Sequence, residues 1–505
     1  MDRAVTYLLP GLPTSAGCRV TPLIDGAEHS AALGEALEAV GPGGFVYLTG
    51  WWLGLGRGGF ELLPNGDARL TDAPPYCLDP WPGTRPFVDP VNEDSALVKL
   101  LAAKVAAGTE VRALGWVSAS AVRHPRVTKV SGAGHVTAIN TLTLRSLREL
   151  RAVGAEALPS TIGHLAGSSH SKLVLISDGR NTIGFTGGLD LELSRWSRPE
   201  HEGRQIWHDV VARVEGPAVQ GFFDHFRSLW EASRSSRPTN LPLDGDRLVS
   251  VPLGTTSLPP RAVPVAAPTG SQSVQNLRTL PATTYPWYVP ARPQPLPEAS
   301  VFEYRDALRH AIGQARQYVY LEDPLMWSGE VMTWVRDAVR RSPDLRVILL
   351  TAGLDDPNDP PLPHPEYFCQ SVNHALLAGL DDAQRARISA YRRRGVVVHA
   401  KTVLIDDEWA CIGSCNLAQR SLYTDIEHGI AFTGDVPSYR AKLWSHHLGT
   451  TPAGDLPAWL DAWPAAEPLD PITLPVEEVP FTARQQRRYQ AFHDPDSRAW
   501  RVRIL

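Results

Sequence analysis

The sequence predicts an α/β protein built from two similar α/β/α domains, with mixed, largely parallel sheets and a pseudo-twofold relation between the halves. Three observations carry this expectation. Short apolar runs of strand character alternate with stretches whose apolar residues recur at helical spacing. The order of these elements occurs twice along the chain. The 505 residues exceed one ordinary domain and suit a fused pair. Hydrophobic residues make up 43% of the chain, which is enough for sizeable cores and outside the disordered regime.

In the first half, Leu33, Leu37 and Val40 share one helical face, and "GGFVYLTGWW" follows as a strand. A second helix carries Leu97, Leu101 and Val105, stops at Gly108 and leads into the strand "EVRALGWV". A third carries Leu144, Leu147, Leu150 and Val153 before Gly154. Then comes "HSKLVLISDGRNTIGFTGGLD", residues 170–190: a strand, a turn, a strand and a glycine pair. The strand "WHDVVARV" follows. After Pro217, a helix buries Val219, Phe222, Phe223, Phe226 and Trp230.

The second half replays this order. Tyr304, Leu308 and Ile312 mark a helix, and "QYVYLED" a strand. Val331, Val335 and Val339 mark the next helix, followed by the strand "LRVILLT". A helix around Ser371 to Leu380 precedes the strands "RISAYRR" and "GVVVHAKTVLID". Residues 233–300 are rich in Pro, Ser and Thr and read as a linker or surface crossover, with a short strand at "SVQNLRTL". The expected organisation is therefore a first half at 1–232, a linker at 233–300, a second half at 301–450 and a C-terminal extension at 451–505. Two repeated domains place a site most naturally on their shared face.

The net charge of −5 counts against a protein that lives on nucleic acid, which usually carries a basic excess. Five cysteines (Cys18, Cys77, Cys369, Cys411 and Cys415) are few and odd in number, which suits a reducing compartment better than a disulfide framework. Cys411 and Cys415 read as packing residues, because a zinc site needs further ligands nearby. The N-terminal "MDRAVTYLLPGLPTSAGCRV" has only a short apolar stretch, broken by Pro10. No window approaches the roughly 20 apolar residues of a membrane span. A cytoplasmic, soluble protein is the expectation.

His170 and Lys172 stand two positions apart at the head of an apolar run, so on a strand they share a face. Alone they read as surface residues. They are repeated: "HAKTVLID" sets His399 and Lys401 at the same spacing with Asp406 closing the run, and "EWACIGSCNLAQRSL" then supplies Gly413, Ser414 and Asn416. The sequence thereby resembles the phospholipase D superfamily, whose mark is two copies of His-x-Lys-x4-Asp followed by a glycine-rich turn. The second copy fits throughout. The first departs at the acid, where Ser177 stands and Asp178 comes one residue late. "GGLDL" carries Gly188 and Asp190, the latter where the second copy has Asn416. Further echoes are "WHDVVARVEGPAV", "SVQNLRTL" and "YVYLEDPLMW", so the resemblance spans roughly residues 29–450.

The residue types suit phosphodiester cleavage, which needs a nucleophile at phosphorus, an acid for the leaving alkoxide and cations for the equatorial oxygens. Two imidazoles serve the first two needs because they titrate near neutrality. The resemblance implies a covalent phosphohistidine on His170, with His399 as acid and then base. Lys172, Lys401 and Asn416 stabilise the phosphate, with Asp190, Gly188 and Ser414 beside the substrate. The resemblance also implies that the motif aspartate is structural and that no metal or other cofactor is needed. Each imidazole needs an acceptor on its other nitrogen. Asp209 in "WHDV" and Glu427 in "DIEHG" fit, with Asp425 as rival to Glu427 and a plain turn acid as the alternative for Asp209.

Other polar residues read more plainly. His201 and His208, with Glu200, Glu202 and Asp209, match no common ligand spacing and read as a solvated loop. His446 and His447 read as a helix C-terminus. Trp51, Trp52, Trp116, Trp196 and Trp327 fall near strand ends; core packing explains most, and one or two suit an acyl or glycerol pocket.

The function expected is a phospholipase D-type phosphodiesterase on a phospholipid, with transfer to an alcohol as a second activity. The partner is a phospholipid or other phosphodiester, met as a monomer that touches a membrane surface only peripherally. The alternatives are a nuclease or small-molecule phosphodiesterase of the same superfamily, a cardiolipin-synthase-like role disfavoured by the lack of membrane segments, and an inactive binding module. Acidic charge and the lack of a basic tail oppose stable nucleic-acid binding.

Overall fold

The computed structural model describes residues 6–62, 68–83, 89–117, 133–160, 162, 167–202, 205–235, 241–243, 247–249, 255–266, 270–281, 300–352 and 375–474. Among these, one sheet of 16 strands runs through both halves of the chain. The first half contributes β1 (Ser15–Ile24), β2 (Phe45–Gly50), β3 (Glu110–Trp116), β4 (Glu156–Ser160), β5 (Leu173–Ser177), β6 (Thr182–Gly187) and β7 (Val210–Glu215). Next come β8 (Gln272–Leu280), β9 (Val301–Phe302), β10 (Tyr318–Glu322), β11 (Arg346–Leu350) and β12 (Ile388–Arg393). The sheet is completed by β13 (Thr402–Ile405), β14 (Trp409–Gly413), β15 (Glu427–Thr433) and β16 (Leu469–Pro471).

Across the sheet the order is β16-β12-β11-β10-β13-β14-β15-β8-β1-β7-β6-β5-β2-β3-β4, with β9 paired to β8. Read outward from the β8–β1 seam, β15-β14-β13-β10-β11-β12 in one half match β7-β6-β5-β2-β3-β4 in the other. The duplication seen in the sequence is thus a duplication of topology. The sheet is mixed, as expected, but parallel pairing is confined to β2–β3–β4 and β10–β11–β12. Hairpins supply the inner strands, because β5–β6 and β13–β14 are joined by turns too short for a crossover. The strand expected inside the linker is β8, nine residues long and set at the seam, where it pairs with β15 and β1.

Alternation along the strands sets the layers. Phe45, Tyr47, Tyr318 and Tyr320 face one core that spans both halves, beneath the helices Val219–Ser235 and Val436–Leu448. Val46 and Leu48 face a second core with the helices Asp25–Glu38 and Leu97–Ala106. Val319 and Leu321 face a third, with Glu303–Gln314 and Gly329–Arg341. The five apolar residues expected on the helix after Pro217 are all fully buried. Each such side chain is worth about 1.5–3 kcal/mol in transfer free energy. The periodicity also found the helix Ala133–Ala152, and Gly108 and Gly154 follow their helices at φ 90° and 94°. Of the helix expected around Ser371 to Leu380, residues 371–374 lie outside the described residues, as does Cys369, and the described remainder is a short helical end that passes into a turn at Gly379 (φ 66°). The other four cysteines are buried and free.

Candidate active site

The sequence places both His-x-Lys pairs inside strands. In the structure β5 begins at Leu173 and β13 at Thr402, so each pair lies just ahead of its strand. The cause is a backbone exchange across the seam. Ser169 forms a parallel bridge with Ile426, and His170 N donates to Ile426 O at 2.8 Å. In the other half Val397–Val398 pair in parallel with Trp207–His208, and His399 N donates to His208 O at 2.8 Å. For the same reason "WHDVVARV", expected as one strand, breaks at Asp209, with two residues in the ribbon and the rest in β7.

Each imidazole therefore meets a carboxylate from the opposite half. His170 Nδ1 lies 3.0 and 3.1 Å from the two oxygens of Glu427, and His399 Nδ1 lies 2.7 Å from Asp209 Oδ2. Both bonds use Nδ1, which leaves the Nε2 of each ring outside the pairing. Asp425, the rival to Glu427, is engaged elsewhere: its Oδ1 accepts from Ser168 N at 2.6 Å and from Arg420 Nε at 2.9 Å. Local details hold these carboxylates. Gly188 is glycine because a Cβ there would overlap the Asp209 carboxylate. Ser414 donates its hydroxyl to Glu427 Oε2.

The two lysines are buried with them. Lys172 Nζ donates to His170 O at 3.0 Å and lies 3.5 Å from Asp190 Oδ2; Lys401 Nζ donates to His399 O. Asp190 Oδ1 accepts from Trp52 N at 2.9 Å. Asn416 is buried, and its Oδ1 has no hydrogen-bond partner among the described residues. Asp323, which the sequence reading did not single out, accepts from Leu417 N at 2.9 Å and adds its charge to the surroundings of Lys401. The signal was present in "YVYLEDPLMW", but nothing in it told a strand-end acid from a site acid.

Burial dominates the titration of the site. It pushes His170 and His399 well below the usual histidine value, and Lys172 and Lys401 push both the same way. Burial lifts Asp209 to about 7 against the pull of Lys401, and lifts Glu427 well above the usual carboxylate range, with Asp425 adding to the effect. Burial also lowers Lys401 to about 8. Each histidine and its carboxylate are shifted in opposite senses and titrate as a coupled pair. A phosphate anion arriving between them favours protonation of an imidazole.

Of the five tryptophans named from the sequence, two stand at the site. Trp51 stacks on Trp116 at 5.5 Å and meets His170 edge-on at 5.9 Å. Trp52 packs on Ile139 and Leu142, Trp196 on Trp81, and Trp327 against the second-half core. The sequence reading missed Trp207 as a site aromatic: its ring lies 4.6 Å from that of His399. It also missed Arg195, whose guanidinium sits 3.4 Å from the Trp207 ring centre and whose charge lowers the basicity of His399 after burial and Lys401.

One expectation is overturned. His201 and His208 do not lie in a solvated loop. Their side chains, at 2% and 0% exposure, pack against Asp25. His446 and His447 do end the helix Val436–Leu448, yet both rings are turned inward onto the same group. The loop before Trp207 is drawn in because His208 Nδ1 donates to Asp25 Oδ1 at 2.8 Å while His208 Nε2 stands 2.8 Å from Glu322. Burial opposes a charge on His208, but the two carboxylates prevail and raise it to about 10. Spacing along the chain gave no hint of this, since Glu322 comes from β10 of the other half.

Comparison with known proteins finds a family match at the second copy of the motif. The family described as cardiolipin synthase, PLD-like domain, matches residues 308–442, the stretch that holds His399, Lys401 and Glu427. Phospholipase D alpha 2 of Oryza sativa subsp. japonica is 21% identical over 386 residues, covering 54% of this chain and 46% of that protein. Cardiolipin synthase A of Edwardsiella ictaluri (strain 93-146) is 24% identical over 267 residues, covering 53% of this chain and 45% of that protein. The chain thus spans about half the length of the curated relatives it matches. Among solved structures, phosphatidylserine synthase of Haemophilus influenzae Rd KW20 aligns over 92% of this chain and 90% of that one, at 10% identity and a TM-score of 0.48.

Proposed function

We propose that this chain, a member of the phospholipase D superfamily, cleaves the phosphodiester of a phospholipid through a covalent phosphohistidine and passes the phosphatidyl group to water or an alcohol. The observation that carries the reading is the crossed pairing of His170 with Glu427 and His399 with Asp209, with a buried lysine beside each.

The steps follow from the atoms. His170 Nε2 attacks phosphorus while Glu427 holds the proton on Nδ1, so the ring gains positive charge beside a carboxylate. The bond to the leaving alkoxide breaks, and that oxygen takes a proton from His399 Nε2. His399, now neutral, takes a proton from water or an alcohol whose oxygen attacks the phosphohistidine, returning His170 to its starting state. Lys172, Lys401 and Asn416 face the developing charge on the equatorial oxygens. Trp51 and Trp116 offer apolar surface next to His170 for the lipid side of the substrate.

The test is hydrolysis of bis-p-nitrophenyl phosphate and of phosphatidylcholine or phosphatidylglycerol vesicles, with and without added primary alcohol. Release of head group, and a phosphatidyl alcohol when alcohol is present, is the expected result. Activity on the soluble diester or on oligonucleotides without any on lipid would move the substrate class. No turnover of any diester would leave a binding module.

A further inference from the structure

Beneath the second histidine, Asp25, His201, His208 and His446 bring their ligand-type atoms within 4.8 Å of one another. Three of these atoms converge more tightly. His201 Nε2 lies 3.1 Å from Asp25 Oδ2 and 3.3 Å from His446 Nε2, and the remaining edge, His446 Nε2 to Asp25 Oδ2, is 3.5 Å. A tetrahedral zinc with ligands at about 2.0–2.2 Å has ligand–ligand edges of about 3.3–3.6 Å. Two edges of the triangle fall in that range, and the third, at 3.1 Å, is slightly shorter, so a small outward shift of His201 makes it one face of such a tetrahedron.

A second observation points the same way. Asp25 is fully buried, yet among the described residues its Oδ2 has no hydrogen-bond partner, although two imidazole nitrogens stand within 3.5 Å of it. The supporting groups are those of a metal site. His201 Nδ1 donates to Gln205 O at 2.9 Å, which leaves the Nε2 lone pair for a ligand. Asp25 Oδ1 is held by His208 Nδ1 at 2.8 Å and by Asp209 N at 3.2 Å, which leaves Oδ2 as the coordinating oxygen. The catalytic motif does not use these three atoms, and among the described residues their one further polar contact beyond each other is that of Arg393 with His446 Nε2.

We infer that Asp25, His201 and His446 form a binding site for a first-row divalent cation, zinc in class, at the junction of the two halves. A nitrogen-rich donor set with one carboxylate selects zinc, cobalt or nickel over magnesium and calcium. One group competes for the site: Arg393 Nη1 contacts the same Nε2 of His446. The half-buried guanidinium and the metal cannot both use one lone pair, so metal binding requires Arg393 to swing away. The site lies outside the phosphate chemistry and does not depend on it. Its effect would reach the catalytic centre through Asp209, whose backbone bonds to Asp25 in both directions.

The probe is cobalt(II), added to full-length protein first stripped with a chelator, and read by visible absorption and metal content. One cobalt per chain is expected, with the intense bands of a tetrahedral site and displacement by zinc. His201→Gln and His446→Gln should each weaken binding by more than the roughly 10–100-fold that an outer-shell change costs. His170→Ala should leave it unchanged. Because the ligand variants can unfold the junction, Arg393→Gln is the decisive variant: it keeps all three ligands, removes the competitor, and should tighten binding. Absence of stoichiometric cobalt, retention in His446→Gln, or unchanged or weaker binding in Arg393→Gln would each overturn the site.

Discussion

The two copies of the motif solve the same local problem with different residues. In the second copy Asp406 turns away from the lysine and accepts from Tyr7 Oη at 2.8 Å and from the backbone N–H groups of Arg316, Gln317 and Tyr318 at 2.6, 2.7 and 2.8 Å. It pins the helix-to-β10 connection to the end of β13. In the first copy the same position is Ser177, whose hydroxyl stays within its own turn: it donates to Asn181 O at 3.0 Å and accepts from Gly179 N at 3.2 Å. Asp178, one residue late, caps that turn by accepting from Arg180 N and Asn181 N, both at 2.7 Å. The first copy lacks the brace that Asp406 supplies in the second.

The acids beside the lysines differ too. In the first half the acid sits on the glycine turn, as Asp190, and receives the N–H of Trp52 after β2. In the second half the turn offers Asn416, and the acid is Asp323 after β10, which receives the N–H of Leu417 from the turn. The same contact is made with donor and acceptor exchanged. Each half thus keeps an acid near its lysine, while only the second turn carries an amide, Asn416. The copies differ in which element supplies the acid and agree in setting one near each lysine.

The comparison can be broken most forcefully at the histidines. His170→Ala and His399→Ala should each cut turnover of phospholipid by at least about 10³-fold. With a p-nitrophenyl ester, whose leaving group needs no acid, His399→Ala should still form a phosphohistidine and His170→Ala none. An adduct on His399 by mass spectrometry would exchange the two roles.

The crossed carboxylates come next. Glu427→Gln and Asp209→Asn should each cost on the order of 10²-fold, since each orients an imidazole. They should differ in leaving-group dependence. Loss in Asp209→Asn should be larger for an alkyl than for a p-nitrophenyl ester, and loss in Glu427→Gln should be similar for both. Equal patterns would show that the halves do not divide the labour as proposed.

A smaller effect concerns pH. Lys401 is lowered to about 8, so its charge is lost as pH rises through that value, and kcat/KM should fall on an alkaline limb near there. In Lys401→Arg the guanidinium stays charged, and the limb should move to higher pH even if the rate is reduced. A limb that stays in place would belong to another group.

The smallest effect separates brace from chemistry. Asp406→Ser removes the acceptor of three backbone N–H groups and should destabilise the fold by about 3 kcal/mol in urea unfolding. Ser177→Asp buries a carboxylate facing Asn181 O and should cost about 1–2 kcal/mol with little change in kcat. A rate loss in Ser177→Asp as large as in the carboxylate variants would mean that this position reaches the phosphate after all.

How much of this was legible depends on the range of the forces involved. Helices and strands come from local periodicity, and the apolar faces of Leu33 and Leu37, of Val331 and Val335, and of the helix after Pro217 each report their own burial. The His-x-Lys pairs were legible because a two-residue spacing was repeated with its glycine turn. Glu427 and Asp209 were legible as candidates, but Asp425 remained a rival to Glu427 until Arg420 and Ser168 were seen to occupy it. Histidines 201 and 208 were misread because a polar stretch between a proline and a strand carries no local sign of burial.

By itself, then, the sequence determined the α/β class, the duplication of elements and the residues that can handle a phosphodiester, because each of these is written in neighbours a few positions apart. Only the tertiary structure decided that β8 and β1 fuse the halves into one sheet, and that each histidine takes its carboxylate from the other half. It alone drew Asp25, His201, His208, Glu322, His446 and His447 together below the cleft. Those contacts join residues 257 positions apart for His170 and Glu427, and 190 apart for His399 and Asp209. No local pattern encodes such pairs. They follow from the backbone hydrogen bonds that Ser169, His170 and Val397–His399 make across the seam, which is a property of the closed fold.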